Sequence, residues 1–281
     1  MIQRIAVLGA GTMGRGIAYV AIAAGFPVRL FDVSEGVLED ATASIRTIAE
    51  KAVGRGELTV AACQETLGRL SASTSLADAV QHADLVIEAV PERIEVKLTT
   101  FEALQNNAPP SAVLATNTSA LSITEMASVL EDPSRLAGMH FFNPVHRMTL
   151  VEIVRALETS EQTIAAIADV ARRMGKETVL VRESPGFITS RLNALIGNEA
   201  FYMLQEGVGT ARDIDKAVKL GLNHPLGPFE LVDLVGLDTR LAILQHLHRT
   251  LGEKFRPCPL LEQHVKAGRL GRKTGRGVYE Y

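Results

Sequence analysis

The sequence predicts an α/β protein in two parts, a mostly parallel sheet with helices over residues 1–184 and an all-helical part over 185–281. Three observations predict it. A short apolar strand runs straight into Gly9-Ala10-Gly11-Thr12-Met13-Gly14 and then a helix. Apolar strand-like runs alternate with helical patterns throughout the first part, as helices covering a parallel sheet require. Beyond Glu183-Ser184-Pro185-Gly186, a turn-rich boundary, only helical periodicity remains.

The elements follow in order. Arg4 to Leu8 is the first strand, and Ile17 to Ala24 belongs to a helix of small residues that stops at Gly25. Val28 to Phe31 is the second strand and ends at Asp32. Strand, glycine turn, helix, strand and acid make one βαβ unit, the dinucleotide-binding (Rossmann-type) arrangement. Gly9 permits the tight turn, Gly11 lets a pyrophosphate approach the backbone, and Gly14 lets helix and strand pack closely. The helix N-terminus offers its N–H groups and partial positive charge to phosphates. Asp32 is placed to accept from ribose hydroxyls and to repel a 2′-phosphate, so NAD is expected over NADP, with flavin the lesser alternative.

Ser34 caps a long mixed-charge helix reaching Gly54. Asp84 to Val90 and Ala112 to Thr116 are buried strands, separated by a helix from Pro91 to about Asn107. A short helix near Ile123 to Leu130, a strand into His140, a strand carrying Glu152, a helix Glu161 to Met174 and a strand Glu177 to Arg182 complete the first part. The second part reads as helices at Phe187 to Glu206, Ala211 to Leu220, Pro228 to Leu251 and Leu260 to Lys266.

Composition excludes several classes. The chain has 281 residues, 47% apolar and 22% charged, with a net charge of -3, which is ordinary for a globular protein and gives no global attraction to nucleic acid or anionic membrane. Cys63 and Cys258 lie far apart and lack metal-ligand spacing, so a reducing cytoplasm is expected rather than a disulfide framework. No apolar run reaches the roughly 20 residues a membrane helix needs, and the strand pattern at the N-terminus leaves no room for a signal peptide. His246 and His248 share a helix without acidic or cysteine partners at ligand spacing, so no metal is expected. Asn117, after a strand, reads as a cap for the next helix. His146 reads as an exposed loop residue, and Arg46, Lys51 and Arg55 as a solvated face that could alternatively meet the phosphates of a ligand.

The chemistry is carried by His140 and Glu152, twelve residues apart on consecutive strands. Leu150 to Val154 is otherwise apolar, and an ionised carboxylate buried there needs a partner. A carboxylate that orients an imidazole and stabilises its cation makes a general base. With a dinucleotide at hand, such a base points to alcohol oxidation by hydride transfer.

The blocks Gly9-Ala10-Gly11-Thr12-Met13-Gly14, Asn117-Thr118-Ser119, His140-Phe141-Phe142-Asn143-Pro144, Pro185-Gly186-Phe187 and Gly227-Pro228-Phe229-Glu230-Leu231 resemble, in order and across the whole chain, the L-3-hydroxyacyl-CoA dehydrogenase family, with its stand-alone bacterial 3-hydroxybutyryl-CoA branch the nearest. The resemblance implies an NAD-dependent enzyme of fatty-acid metabolism that oxidises (3S)-3-hydroxyacyl-CoA. It implies His140 as the base, Glu152 as its carboxylate partner and Ser119 as the residue holding the reacting oxygen. Asn143 would position substrate and nicotinamide, and Glu92, Lys97 and Lys273 would contact the cofactor. Where the family has an asparagine in Pro-Gly-Phe-x-x-Asn-Arg, this chain has Ser190, a shorter substrate contact. The helical part would complete the substrate cleft and form a homodimer. Two other readings stand beside this one: a dehydrogenase of a free hydroxy acid or sugar acid, and a catalytically silent NAD-binding protein.

Overall fold

A strand covered by helices on both faces must be apolar at every position, and β1 (Ile5–Leu8) is buried at all four. The computed structural model describes residues 1–281, and the chain divides into two units, Met1–Glu183 and Ser184–Tyr281. In the first unit β1 feeds α1 (Thr12–Ala23), which returns to β2 (Val28–Phe31). The Ser34 hydroxyl accepts from the Val37 amide and starts α2 (Glu35–Gly54). Three elements that the sequence pattern did not disclose come next: α3 (Val60–Leu67), β3 (Leu70–Ser73) and α4 (Leu76–Val80). Then follow β4 (Leu85–Glu88), α5 (Ile94–Asn107), β5 (Val113–Thr116) and α6 (Ile123–Ala127). The unit ends with β6 (Leu136–Phe141), β7 (Leu150–Arg155), α7 (Glu161–Arg173) and β8 (Glu177–Arg182).

The eight strands form one sheet in the order β3-β2-β1-β4-β5-β6-β7-β8. All pairings are parallel except β6 with β7, so the expected mostly parallel sheet is observed. Strand order reverses between β1 and β4, and the crevice beyond the carboxyl ends of such strands is where open α/β sheets take ligands. Ile17, Ile22, Phe26, Met139, Ile153 and Ile167 are among the side chains that close the core beneath it.

The second unit is helical: α8 (Thr189–Gln205), α9 (Ala211–Gly221), α10 (Pro228–Val235), α11 (Leu237–Leu251) and α12 (Pro259–Lys266). Its core includes Phe201, Phe229, Leu244, Leu247 and Leu261, with the Phe201 and Phe229 rings edge to face at 5.2 Å. Two buried carboxylates are fully engaged. Asp215 accepts from the Phe229 and Glu230 amides and the Tyr279 hydroxyl; Asp233 accepts from the Val278 and Tyr279 amides. One sequence expectation is corrected here. Pro228 to Leu251 is two helices, broken at Gly236, whose φ of +107° no L side chain adopts comfortably. No helix is long and apolar enough to cross a membrane.

Candidate active site

At the carboxyl end of β1 the chain turns on Gly9 (φ +92°), and a Cβ on Gly14 would fall 1.7 Å from the Gly9 carbonyl oxygen. Turn and helix therefore touch backbone to backbone. Gly11 faces open space, and no side chain caps the first turn of α1. Those donors and the helix dipole suit a pyrophosphate. Asp32, at the end of β2, accepts from the Ala10 amide at 2.9 Å and the Ser34 amide at 3.1 Å. It thus fixes the glycine turn. This cradle fits a dinucleotide.

A polar chain runs from the sheet interior to Ser119. Glu88, fully buried, meets the buried Lys97 Nζ at 2.6 Å, the Val90 amide at 2.7 Å and the Thr116 hydroxyl at 2.5 Å. Burial pushes the Glu88 carboxyl above its ordinary pKa, opposed first by the Lys97 charge. Lys97 also lies 3.3 Å from Glu92, the exposed member of the chain. Glu92 in turn accepts from the Thr118 hydroxyl and the Ser119 amide, each at 2.7 Å. Of the expected cofactor contacts on this segment, Glu92 reaches the surface while Lys97 lies beneath it.

His140 and Glu152 face each other across the antiparallel β6–β7 pair, in direct register. Residues directly opposite in such a pair point to the same side of the sheet. His140 Nδ1 lies 2.7 Å from Glu152 Oε2, with the histidine 4% and the glutamate 0% exposed. An ionised carboxylate only accepts, so Nδ1 carries the proton in this bond. The Phe142 ring packs against the imidazole at 4.6 Å. Asn117 is not the helix cap expected from its position. Its side-chain oxygen accepts from the Phe141 amide at 2.8 Å, pinning β6 beside His140, and Ser122 caps α6 instead.

Asn143 is exposed in the loop joining β6 to β7. Lys176, which sequence reasoning missed, holds that loop: its Nζ donates to the carbonyls of Val145 at 2.6 Å and Met148 at 2.7 Å. Burial pulls its pKa down. His146 is half-buried and set edge-on to Tyr19, rather than exposed as expected, and burial is the main cause of its lowered pKa. Arg46 and Lys51 are exposed, and Arg55 is engaged with Glu57 at 2.6 Å. In the second unit Ser190 is half-buried near the start of α8, and Lys273 is exposed, paired with Asp238 at 2.6 Å.

A glycine cradle at a strand-order reversal, an acid closing β2 and a carboxylate-held imidazole on the same sheet define a dinucleotide-dependent oxidoreductase. Residues 4–184 match the family model for the 3-hydroxyacyl-CoA dehydrogenase NAD binding domain, and 186–281 that for the C-terminal domain of the same enzymes. The chain belongs to the 3-hydroxyacyl-CoA dehydrogenase family and is an NAD-dependent dehydrogenase. It is 46% identical over 281 residues to a probable 3-hydroxybutyryl-CoA dehydrogenase of Bacillus subtilis, covering 100% of this chain and 98% of that one. It is 41% identical over 282 residues to a 3-hydroxyadipyl-CoA dehydrogenase of Escherichia coli, covering 100% of this chain and 59% of that protein. The crystal structure of (S)-3-hydroxybutyryl-CoA dehydrogenase from Ralstonia eutropha superposes with a TM-score of 0.96 at 40% identity, over 100% of this chain and 99% of that one.

Proposed function

We propose that the chain interconverts (3S)-3-hydroxyacyl-CoA and 3-ketoacyl-CoA, with 3-hydroxybutyryl-CoA as the reference substrate, through His140 and Glu152. The observation that carries this reading is the 2.7 Å contact between the two in a nearly water-free setting. Because Nδ1 is committed to the carboxylate, the other ring nitrogen, Nε2, is the proton acceptor. It takes the 3-hydroxyl proton as C3 gives up hydride, and Glu152 stabilises the imidazolium that results. NAD, when bound, supplies the hydride acceptor. Ser119, its amide fixed by Glu92, holds the reacting oxygen through the change from alcohol to ketone. Asn143 orients substrate and nicotinamide, Glu92 and Lys273 face the cofactor, and Ser190 contacts the substrate. The enzyme works in the cytoplasm as a homodimer joined through its helical unit.

His140→Gln and Glu152→Gln test the proposal. Each should lower kcat with acetoacetyl-CoA and NADH by roughly 10²- to 10⁴-fold, the range general base catalysis supplies. NADH should still bind, read by fluorescence titration. Turnover close to wild type in both variants would remove the pair from the mechanism.

A further inference from the structure

An open cavity of about 350 Å³ lies in the first unit between the β6–β7 loop, the second half of α1 and the end of α7. Its polar wall is basic. His146 and Arg147 come from the loop, Arg173 and Lys176 from the end of α7 and the turn after it, and Tyr19 from α1. No carboxylate lines it. Glu57, whose charge reaches Tyr19 and Arg147, is bound through both oxygens to Arg55. Lys176 is 7% exposed, and its ammonium meets only the carbonyls of Val145 and Met148. Carbonyl dipoles offset part of the cost of burying that charge, and an anion would offset more. A second observation agrees. After burial, the causes that depress the His146 pKa are the cations Arg147, Arg55 and Lys176, so positive potential converges on the imidazole.

The unused donors define the anion. An ammonium has three N–H groups, of which Lys176 has spent two. Arg173 gives one N–H to the Ile2 carbonyl at 3.0 Å and stands over the Phe26 ring at 3.9 Å, with the rest of its fork unspent. Three cations and an imidazole are more than one carboxylate neutralises. A phosphate group brings roughly −1.5 to −2 charges at neutral pH and three strong acceptor oxygens, and arginine forks suit it. Neither the glycine cradle nor the His140–Glu152 pair occupies this place. The cradle is at the other end of α1, and Ala23 lies about 16 Å along the helix from Thr12. Met139, Phe141, Val151 and Ile153 pack into one core with α1 and α7, so His140 and Glu152, which alternate with them, face the opposite side of the sheet.

We propose that this cavity is an effector site for a phosphate-type dianion, inorganic phosphate or a small phosphate ester, separate from the substrate's own site. An anion shared by Arg147 and Lys176 ties the β6–β7 loop to the end of α7. The effect rests on the acyl-CoA reading, in which that loop carries the Asn143 that orients substrate and nicotinamide. Occupancy then steadies Asn143 and tightens the binding of NADH.

The test titrates inorganic phosphate into the enzyme by calorimetry, with NADH saturating to fill the glycine cradle and chloride exchanged to hold ionic strength constant. Acetate is the monoanion control. The wild-type enzyme should bind a single phosphate with a Kd of roughly 1 mM or below, and acetate about tenfold more weakly or worse. Arg147→Ala, at an exposed position, should weaken phosphate by about tenfold, and Arg147→Lys by less. Phosphate should lower the Kd of NADH, read by fluorescence, by roughly fivefold or more in the wild type and not in Arg147→Ala. No phosphate binding, equal binding of acetate, or undiminished binding in Arg147→Ala would overturn the proposal. Binding that leaves the NADH Kd unchanged would mean an adventitious ion only and overturn it too. Displacement of phosphate by CoA but not by dephospho-CoA would give the cavity to the substrate and end the claim of a separate site. The comparison of phosphate with acetate decides even where the variants fail to fold. Absence of NADH oxidation with acetoacetyl-CoA would sink the acyl-CoA reading and leave both titrations standing.

Discussion

Asp32 has two tasks, and a substitution separates them. One carboxylate oxygen accepts from the Ala10 amide and the other from the Ser34 amide, so the side chain is held rigidly at the end of β2. Under the proposed function, its negative charge would also repel a 2′-phosphate on the cofactor ribose. Asp32→Asn keeps one acceptor and loses the charge. The preference for NADH over NADPH in kcat/KM should fall by about tenfold or more, which corresponds to roughly 1.4 kcal/mol of lost repulsion. An unchanged preference would assign discrimination to other residues. Asp32 was readable from spacing because the βαβ unit fixes its distance from the glycines. Asn117 was not, since an amide after a strand reads equally well as a helix cap or a strand pin. Which backbone N–H it meets depends on β6, whose sequence lies 24 residues further on.

At the scale of elements, β6 and β7 were legible as strands because each is apolar around one ionisable residue, His140 or Glu152, with Arg155 only at the end of β7; their antiparallel pairing was not. The segment α3-β3-α4 was not. β3 is one of the sheet's two edge strands, half exposed and built of Leu70-Ser71-Ala72-Ser73, so it lacks the apolar run that marks a buried parallel strand. Lys176 escaped for a similar reason, since no letter shows that a lysine after a helix will turn inward to two carbonyls. Its task is to hold the loop that carries Asn143. Lys176→Met should raise KM for NADH and lower kcat, together on the order of 10- to 100-fold in kcat/KM, as small displacements of positioning groups do. A fall in melting temperature with unchanged kinetic constants would make the lysine merely structural. The start of β1 supplies a pH test. Burial raises the pKa of Asp84, but the Arg4 and Gln3 amides and the Arg4 cation outweigh it, leaving the carboxyl below its ordinary value. A carboxylate whose pKa is depressed on folding adds stability above its unfolded pKa and loses it as pH falls through the folded one. Asp84→Asn should therefore cost about 1 kcal/mol near neutrality, discounted for partial exposure. The gap in melting temperature from wild type should close as pH drops below about 4. A gap constant across the acid range would mean that the carboxylate charge is irrelevant there.

The whole molecule shows where pattern reading ends. The sheet unit could be assembled from spacings, because a parallel sheet repeats one local rule, whereas the helical unit depends on where helices stop and which faces meet. Gly236 illustrates the difficulty, since Val235 and Leu237 continue an unbroken apolar pattern and only the backbone angle divides α10 from α11. The same unit leaves apolar side chains exposed. Ile188, at the N-cap of α8, and Leu192 and Ile196 on it recur at a spacing of four, at 47%, 56% and 37% exposure, and Leu234 and Val235 end α10 at 50% and 42%. Side chains three or four apart share a helix face. A stripe of this kind is uncommon on a monomer and is what a self-complementary interface covers. In sedimentation velocity the wild-type protein should run at twice the 30.2 kDa of one chain. Leu192→Arg places a charge in the middle of the stripe, at a position too exposed for the core to feel, and should yield monomers with little change in melting temperature. Monomeric wild-type protein at micromolar concentration, or a dimer indifferent to the arginine, would place the contact elsewhere or nowhere.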